Sequence, residues 1–281
     1  MRISIFLIAF LAYLNSSARA ADHTPYTDTS ERAPQTFALI IGISDYKFIR
    51  PLTYADKDAE LFRDFLKSNG GGKLAEENIY CLLNEDAKAA NFWIKGMSWL
   101  RSKNLRNGDR LYIYMAGHGD AINSDEYFFL TYDCNPAGDK NNYIVTGNIQ
   151  LFNLKIRIAD MVSKGVDVYL IMDACRTNEL PGGSDGQQIL STAISEKKSG
   201  EVIMLATGAG QESYEDASIG AGHGLFTYYL VDGLSGFADE TGNNDKKISL
   251  KEIQSYVGQH VPLIAQERFK KPQTPFICCP D

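Results

Sequence analysis

Arg110-Leu-Tyr-Ile-Tyr-Met-Ala-Gly-His-Gly-Asp120 and Asp167-Val-Tyr-Leu-Ile-Met-Asp-Ala-Cys-Arg176 are the two stretches on which the reading of the fold turns. Each begins with a short apolar run, 110–115 and 167–172, and then breaks into small and polar residues. A run of that length with such a break reads as a buried strand that ends in a loop. The first strand ends on His118 between Gly117 and Gly119, the second on Cys175 beside Asp173. Neighbouring strands with these ends bring an imidazole and a thiol to one edge of a sheet.

Outward from these runs, strand-like and helix-like segments alternate along the chain. Strands are expected at 37–43, 78–83, 110–115, 127–131, 167–172, 201–206 and 275–278, and helices at 54–68, 87–103, 147–163, 224–235 and 250–261. Strands separated by helix-length segments define an α/β fold, a mainly parallel sheet with helices on both faces. In such sheets reactive groups gather beyond the carboxyl ends of the strands, where His118 and Cys175 both fall.

With 281 residues, 44% of them hydrophobic, the chain is long enough for one α/β domain with appendages and short for two. Residues 1–20 run from Met1-Arg2 through the apolar stretch 3–14 to Ala18-Arg19-Ala20, the order of a secretory signal, with cleavage expected after Ala20. The apolar stretch is short for a membrane span, which needs about 20 residues. Residues 21–35, polar and holding Pro25 and Pro34, read as a flexible lead-in or a pro-segment, and 36–281 as the folded domain. A secreted or periplasmic location is therefore expected, with no membrane attachment after cleavage.

The formal charge of −7 includes Arg2 and Arg19, so the chain without its signal is more acidic still, and nucleic acid is not an expected partner. Five cysteines, at 81, 134, 175, 278 and 279, are an odd number for an exported protein. One working thiol leaves four to pair or to stay buried and reduced. The four histidines show no metal-ligand spacing, so no metal cofactor is expected.

A thiol with an ordinary pKa of about 8.5 is mostly protonated at neutral pH, and a neighbouring imidazole both draws off its proton and later protonates a leaving amine. His118 and Cys175 fit those two roles. The glycines beside His118 leave the Gly119 N–H unshielded, and that N–H with the Cys175 N–H is a natural pair for a developing oxyanion. A nucleotide-binding reading fails at Ile41-Gly42, which is followed by Ile-Ser-Asp and not by a Gly-rich phosphate loop.

Five stretches, in order, resemble the caspase, metacaspase and paracaspase superfamily of cysteine peptidases: 37–46, 52–59, 111–119, 169–176 and 224–228. The resemblance implies the caspase-like fold with a six-stranded sheet, a monomer acting on polypeptides, and a dyad of His118 and Cys175 with Gly119 at the oxyanion. Caspases carry Gln-Ala-Cys-x-Gly, whereas this chain reads Asp173-Ala-Cys-Arg-Thr177. In metacaspases and paracaspases the acid before the cysteine lies in the pocket for the residue preceding the scissile bond. The resemblance therefore assigns Asp173, with Asp58 and Glu212, to a pocket that favours Arg or Lys by charge-assisted hydrogen bonding. A catalytically silent interaction domain on the same fold is the alternative.

The stretch Thr241-Gly-Asn243-Asn-Asp245-Lys246 through Glu252 resembles a calcium loop, but Lys246 stands where the turn needs glycine. It is read as a polar loop capping the helix from 250, and calcium is kept only as an activator that some metacaspases use. The 177–199 segment is read as an exposed loop, either an ordinary surface connection or one in which the protein cuts itself at Lys197-Lys198, with Arg32 in the lead-in as a further site.

Overall fold

Alternation along three central strands sets the layers of the molecule. In β1 (Thr36–Gly42), Phe37, Leu39 and Ile41 face one apolar layer, and Ala38 and Ile40 the other. β3 (Arg110–Gly117) divides Leu111, Ile113 and Met115 from Tyr114 and Ala116, and β7 (Asp167–Ala174) divides Val168, Leu170 and Met172 from Ile171. A strand buried on both faces is apolar at nearly every position, which is why these runs were legible. The computed structural model describes residues 32–122, 126–174, 200–208 and 210–278, and from Pro34 on they belong to one compact unit. Residues 1–20, most of the 21–35 lead-in, the 177–199 loop, Cys175 and Cys279 lie outside the described residues.

The main sheet has six strands in the order β11-β8-β7-β3-β1-β2, with β2 at Ile79–Leu83, β8 at Glu201–Leu205 and β11 at Phe276–Cys278. All neighbours are parallel except β11, which runs antiparallel to β8 at one edge. The expected fold class is the observed one. On one face α1 (Ala55–Lys67) buries Ala55, Ala59, Phe62 and Leu66, residues three or four apart that form one stripe. Phe62 lies flat on Tyr114 of β3, ring centroids 4.7 Å apart. The opposite face is covered by α2 (Met97–Ser102) and α3 (Leu151–Ser163), through Met97, Leu100, Leu154 and Ile158.

Two expectations are adjusted. The helix expected over 147–163 begins at Leu151, because Asn148–Gln150 form a strand, β6. β6 completes a small antiparallel sheet with β4 (Gly119–Ala121) and β5 (Tyr127–Leu130). The helix expected over 87–103 is a π-helical turn at Asn91–Gly96 followed by the short α2. Among the described residues no helix is long and apolar enough to cross a membrane.

The parallel register brings Gly42 beside Ala116 and Ala116 beside Asp173. Three carboxyl strand ends therefore lie side by side. Above them stand the start of α1 and a two-stranded ribbon of β9 (Glu215–Asp216) and β10 (His223–Gly224), which leads directly into α4 (Leu225–Asp232).

Candidate active site

His118 follows β3 and is buried. Its backbone N–H donates to the Tyr46 hydroxyl at 2.7 Å, and that hydroxyl lies 3.3 Å from the Leu130 carbonyl. The Tyr46 ring packs against the imidazole, centroids 4.9 Å apart. Gly117 makes this approach possible: its φ is 156°, and a Cβ there would come within 2.5 Å of the Tyr46 oxygen and 3.0 Å of the Phe129 ring. The imidazole Nε2 lies 2.9 Å from the Arg50 carbonyl. A carbonyl only accepts, so Nε2 carries the hydrogen and Nδ1 is the basic nitrogen. The group that orients the ring is thus a backbone atom.

Gly119 opens β4 opposite Phe129, while Leu130 N–H donates to the His118 carbonyl at 2.9 Å. That pattern makes Gly119 and Phe129 a non-hydrogen-bonded pair, so the Gly119 N–H turns away from β5. Asp120 holds the strand down, its carboxylate meeting Lys140 Nζ at 3.0 Å and the Tyr143 hydroxyl at 3.0 Å.

Next to Gly117 is a small pocket lined by Leu52, Ala55, Asp58, Asp173, Glu215 and Gly224 among others, none of them basic among the described residues. Asp58 comes from the first turn of α1 and is 3% exposed; Asp173 comes from β7, on the face that holds Ile171, and is 7% exposed. Gly224, the N-cap of α4, sits between them: a Cβ there would lie 2.6 Å from Asp58 Oδ2 and 3.1 Å from Asp173 Oδ2. Both carboxylates also hold the amino end of α4, where unpaired N–H groups favour negative charge. Gly224 N–H reaches both Asp58 oxygens at 3.0 Å, and Thr227 N–H reaches Asp173 Oδ2 at 3.3 Å.

Burial is the main reason that Asp58 holds its proton up to about 7, with the Asp173 charge adding to it; a hydrogen bond with His223, whose Nδ1 lies 2.9 Å from Asp58 Oδ1, works against it. Burial also raises Asp173, against donors from Thr227 and Ser213. The two groups thus share a dry site that resists holding two negative charges without a cation.

Glu212 is not brought to this pocket. Its carboxylate, 33% exposed, pairs with Lys271 at 3.2 Å, and the third acid at the pocket is Glu215, which accepts Thr53 N–H at 2.7 Å and Tyr54 N–H at 2.9 Å. The pocket lining takes in Ser213, Tyr214 and Glu215 and leaves out Glu212. Sequence reasoning also missed the roles of Tyr46 and Thr227, though both lie in the quoted stretches, and of His223 and Gln273, which no spacing connects to the motifs.

The 241–252 loop is closed by its own hydrogen bonds. Glu252 forms a capping box with Ser249 and accepts Asn243 N–H at 3.2 Å, and Asp239, a residue outside the proposed ligand set, accepts the Asp245 and Lys246 N–H groups. Among the described residues no cluster of His, Cys, Asp and Glu is arranged to hold a metal ion. Cys81 and Cys134 carry free thiols, pushed up to about 11 and about 12 by burial, unlike a thiol prepared for attack.

The caspase domain family matches residues 35–281, and the chain belongs to this family of cysteine peptidases. The fold agrees. A Geobacter sulfurreducens protein of known structure is similar with a TM-score of 0.56 at 17% identity, over 88% of this chain and 95% of that one. Caspase-1 of Spodoptera frugiperda is similar with a TM-score of 0.57 at 15% identity, over 89% of this chain and 91% of that one. No curated protein matches the sequence.

Proposed function

We propose that this chain is an exported cysteine endopeptidase that cuts polypeptides after Arg or Lys, with Cys175 as nucleophile and His118 as its acid/base partner. The observation that carries the specificity is the pair of buried carboxylates, Asp58 and Asp173, in a pocket whose wall includes Gly117, the residue before the histidine. A guanidinium or ammonium inserted there offsets a carboxylate charge and donates hydrogen bonds to the acids, whereas an aspartate side chain adds a further negative charge.

In this reading His118 Nδ1 takes the Cys175 proton as the sulfur attacks the scissile carbonyl carbon. The negative charge that develops on the carbonyl oxygen is held by the Gly119 and Cys175 N–H groups. The intermediate collapses as the carbon–nitrogen bond breaks and the His118 proton passes to the departing amine. A thioester at Cys175 remains, and water, activated by His118, releases the acid and restores the thiol. The hydrogen bond from Nε2 to the Arg50 carbonyl supports this assignment, because it fixes the tautomer and steadies the imidazolium that forms between the two transfers. The secretory order of residues 1–20 supports export, and Lys197-Lys198 after the cysteine motif offers a site for self-cleavage.

The test is hydrolysis of fluorogenic peptides that end in Arg, Lys or Asp, with and without calcium, by wild type and Cys175→Ala. Cleavage after Arg or Lys that vanishes in Cys175→Ala is the expected result. Cleavage after Asp alone would overturn the pocket assignment, and equal activity in both proteins would overturn the nucleophile. Fragments that appear on incubation of wild type and are absent for Cys175→Ala would establish self-cleavage.

A further inference from the structure

Gln273 is fully buried, far along the chain from the motifs, and its amide is held on every side. Its Oε1 accepts Tyr214 N–H at 3.0 Å, and its Nε2 donates to the Ala206 carbonyl at 3.1 Å and to Ser213 Oγ at 3.2 Å. A backbone N–H only donates and a backbone carbonyl only accepts, so these partners fix which end of the amide is nitrogen. Ser213 Oγ therefore receives a hydrogen from Gln273 and directs its own to Asp173 Oδ1, 2.7 Å away. The other side mirrors this. Thr227 Oγ1 donates to Asp173 Oδ2 at 2.6 Å, so the hydrogen between Thr227 and the buried Tyr114 hydroxyl, 2.6 Å apart, comes from the tyrosine.

Two relays thus end on one carboxylate, Gln273 to Ser213 to Oδ1 and Tyr114 to Thr227 to Oδ2. A proton on Asp173 would set hydrogen against hydrogen at one oxygen and require the donor behind it to reverse, which the locked Gln273 amide resists. Burial and the charge of Glu215 from β9 press the other way, while Asp58 from α1 keeps its own proton up to about 7 and is hydrogen-bonded to His223 from β10. We propose that Gln273 and Ser213 are positioning residues for substrate selection, holding Asp173 ionised and aimed into the pocket so that it receives a cationic side chain at neutral pH. This rests on the reading of the pocket as the site for Arg or Lys.

The test measures kcat and KM from pH 5 to 9 on peptides ending in Arg and in citrulline, its uncharged isostere. The proteins are wild type, Ser213→Ala, Ser213→Thr and Gln273→Leu, each first checked for native circular dichroism. Loss of one hydrogen bond to a charged group is expected to raise KM for the Arg peptide about tenfold with little change in kcat. The acid limb of kcat/KM is expected to move to higher pH by about one in Ser213→Ala and Gln273→Leu, with a smaller loss on citrulline than on Arg and Ser213→Thr restored toward wild type. Folded Ser213→Ala with wild-type KM and acid limb would overturn the proposal alone, as would an equal loss on both peptides, the mark of altered pocket shape only. Should Gln273→Leu fail to fold, Ser213→Ala and its threonine rescue decide. A wild type that does not distinguish Arg from citrulline would remove the underlying reading and this proposal with it.

Discussion

Asp58 loses its proton near its ordinary value of 3.8 when the chain is unfolded, and keeps it to about 7 when folded. Between those values the folded state binds more protons, so the contribution of this group makes stability fall as pH rises through the window and level off above it. Asp58→Asn is expected to flatten that slope, read as urea midpoints from pH 4 to 8; an unchanged slope would show that Asp58 titrates normally. The same titration governs a cationic substrate, whose affinity is expected to grow as pH rises toward 7. At this scale the sequence was informative where a residue carries its own chemistry. His118, Asp58 and Asp173 were found because their types and neighbours are distinctive, whereas Glu212 was assigned by resemblance, and two acids three residues apart do not reveal in the sequence which of them reaches the pocket. Gln273 left no signal, since its role depends on backbone groups of two other segments.

Elements transmit this placement through packing. α1 brings Asp58 to the pocket and is fastened to the sheet by Phe62, stacked on Tyr114 and edge-on to Tyr112, centroids 5.9 Å apart. Phe62→Ala opens a cavity under the helix and is expected to cost about 3–5 kcal/mol of stability, measured by denaturant unfolding; a loss under about 1 kcal/mol would mean that α1 is held mainly elsewhere. The long elements were legible because strand and helix periods persist over enough residues to be seen. β4, β6, β9 and β10 were not, because two or three residues are too few to display a period, and their pairing comes from the partners that tertiary packing provides. Expecting a helix from 147 was the consequence, since the apolar pattern of α3 continues backward into β6.

At the scale of the whole molecule, the site is drawn from segments far apart in sequence that meet at the carboxyl ends of parallel strands. This arrangement was legible as a rule of α/β sheets, although the antiparallel direction of β11 was not, because a short apolar run carries no sign of orientation. β11 covers the edge of β8, and the approach to it carries Gln273 to Ser213 and Tyr214, behind the pocket. A chain ending at residue 271 would lose both and bare the β8 edge, and is expected to aggregate on expression; a soluble, monomeric product with a native far-ultraviolet spectrum would contradict this. The imidazole of His118 is steadied by a carbonyl 68 residues away, at Arg50. Every amino acid brings that oxygen, so this one contact survives a change of side chain at position 50. Its importance would surface only in changes that move the peptide itself, such as an insertion or deletion between β1 and α1.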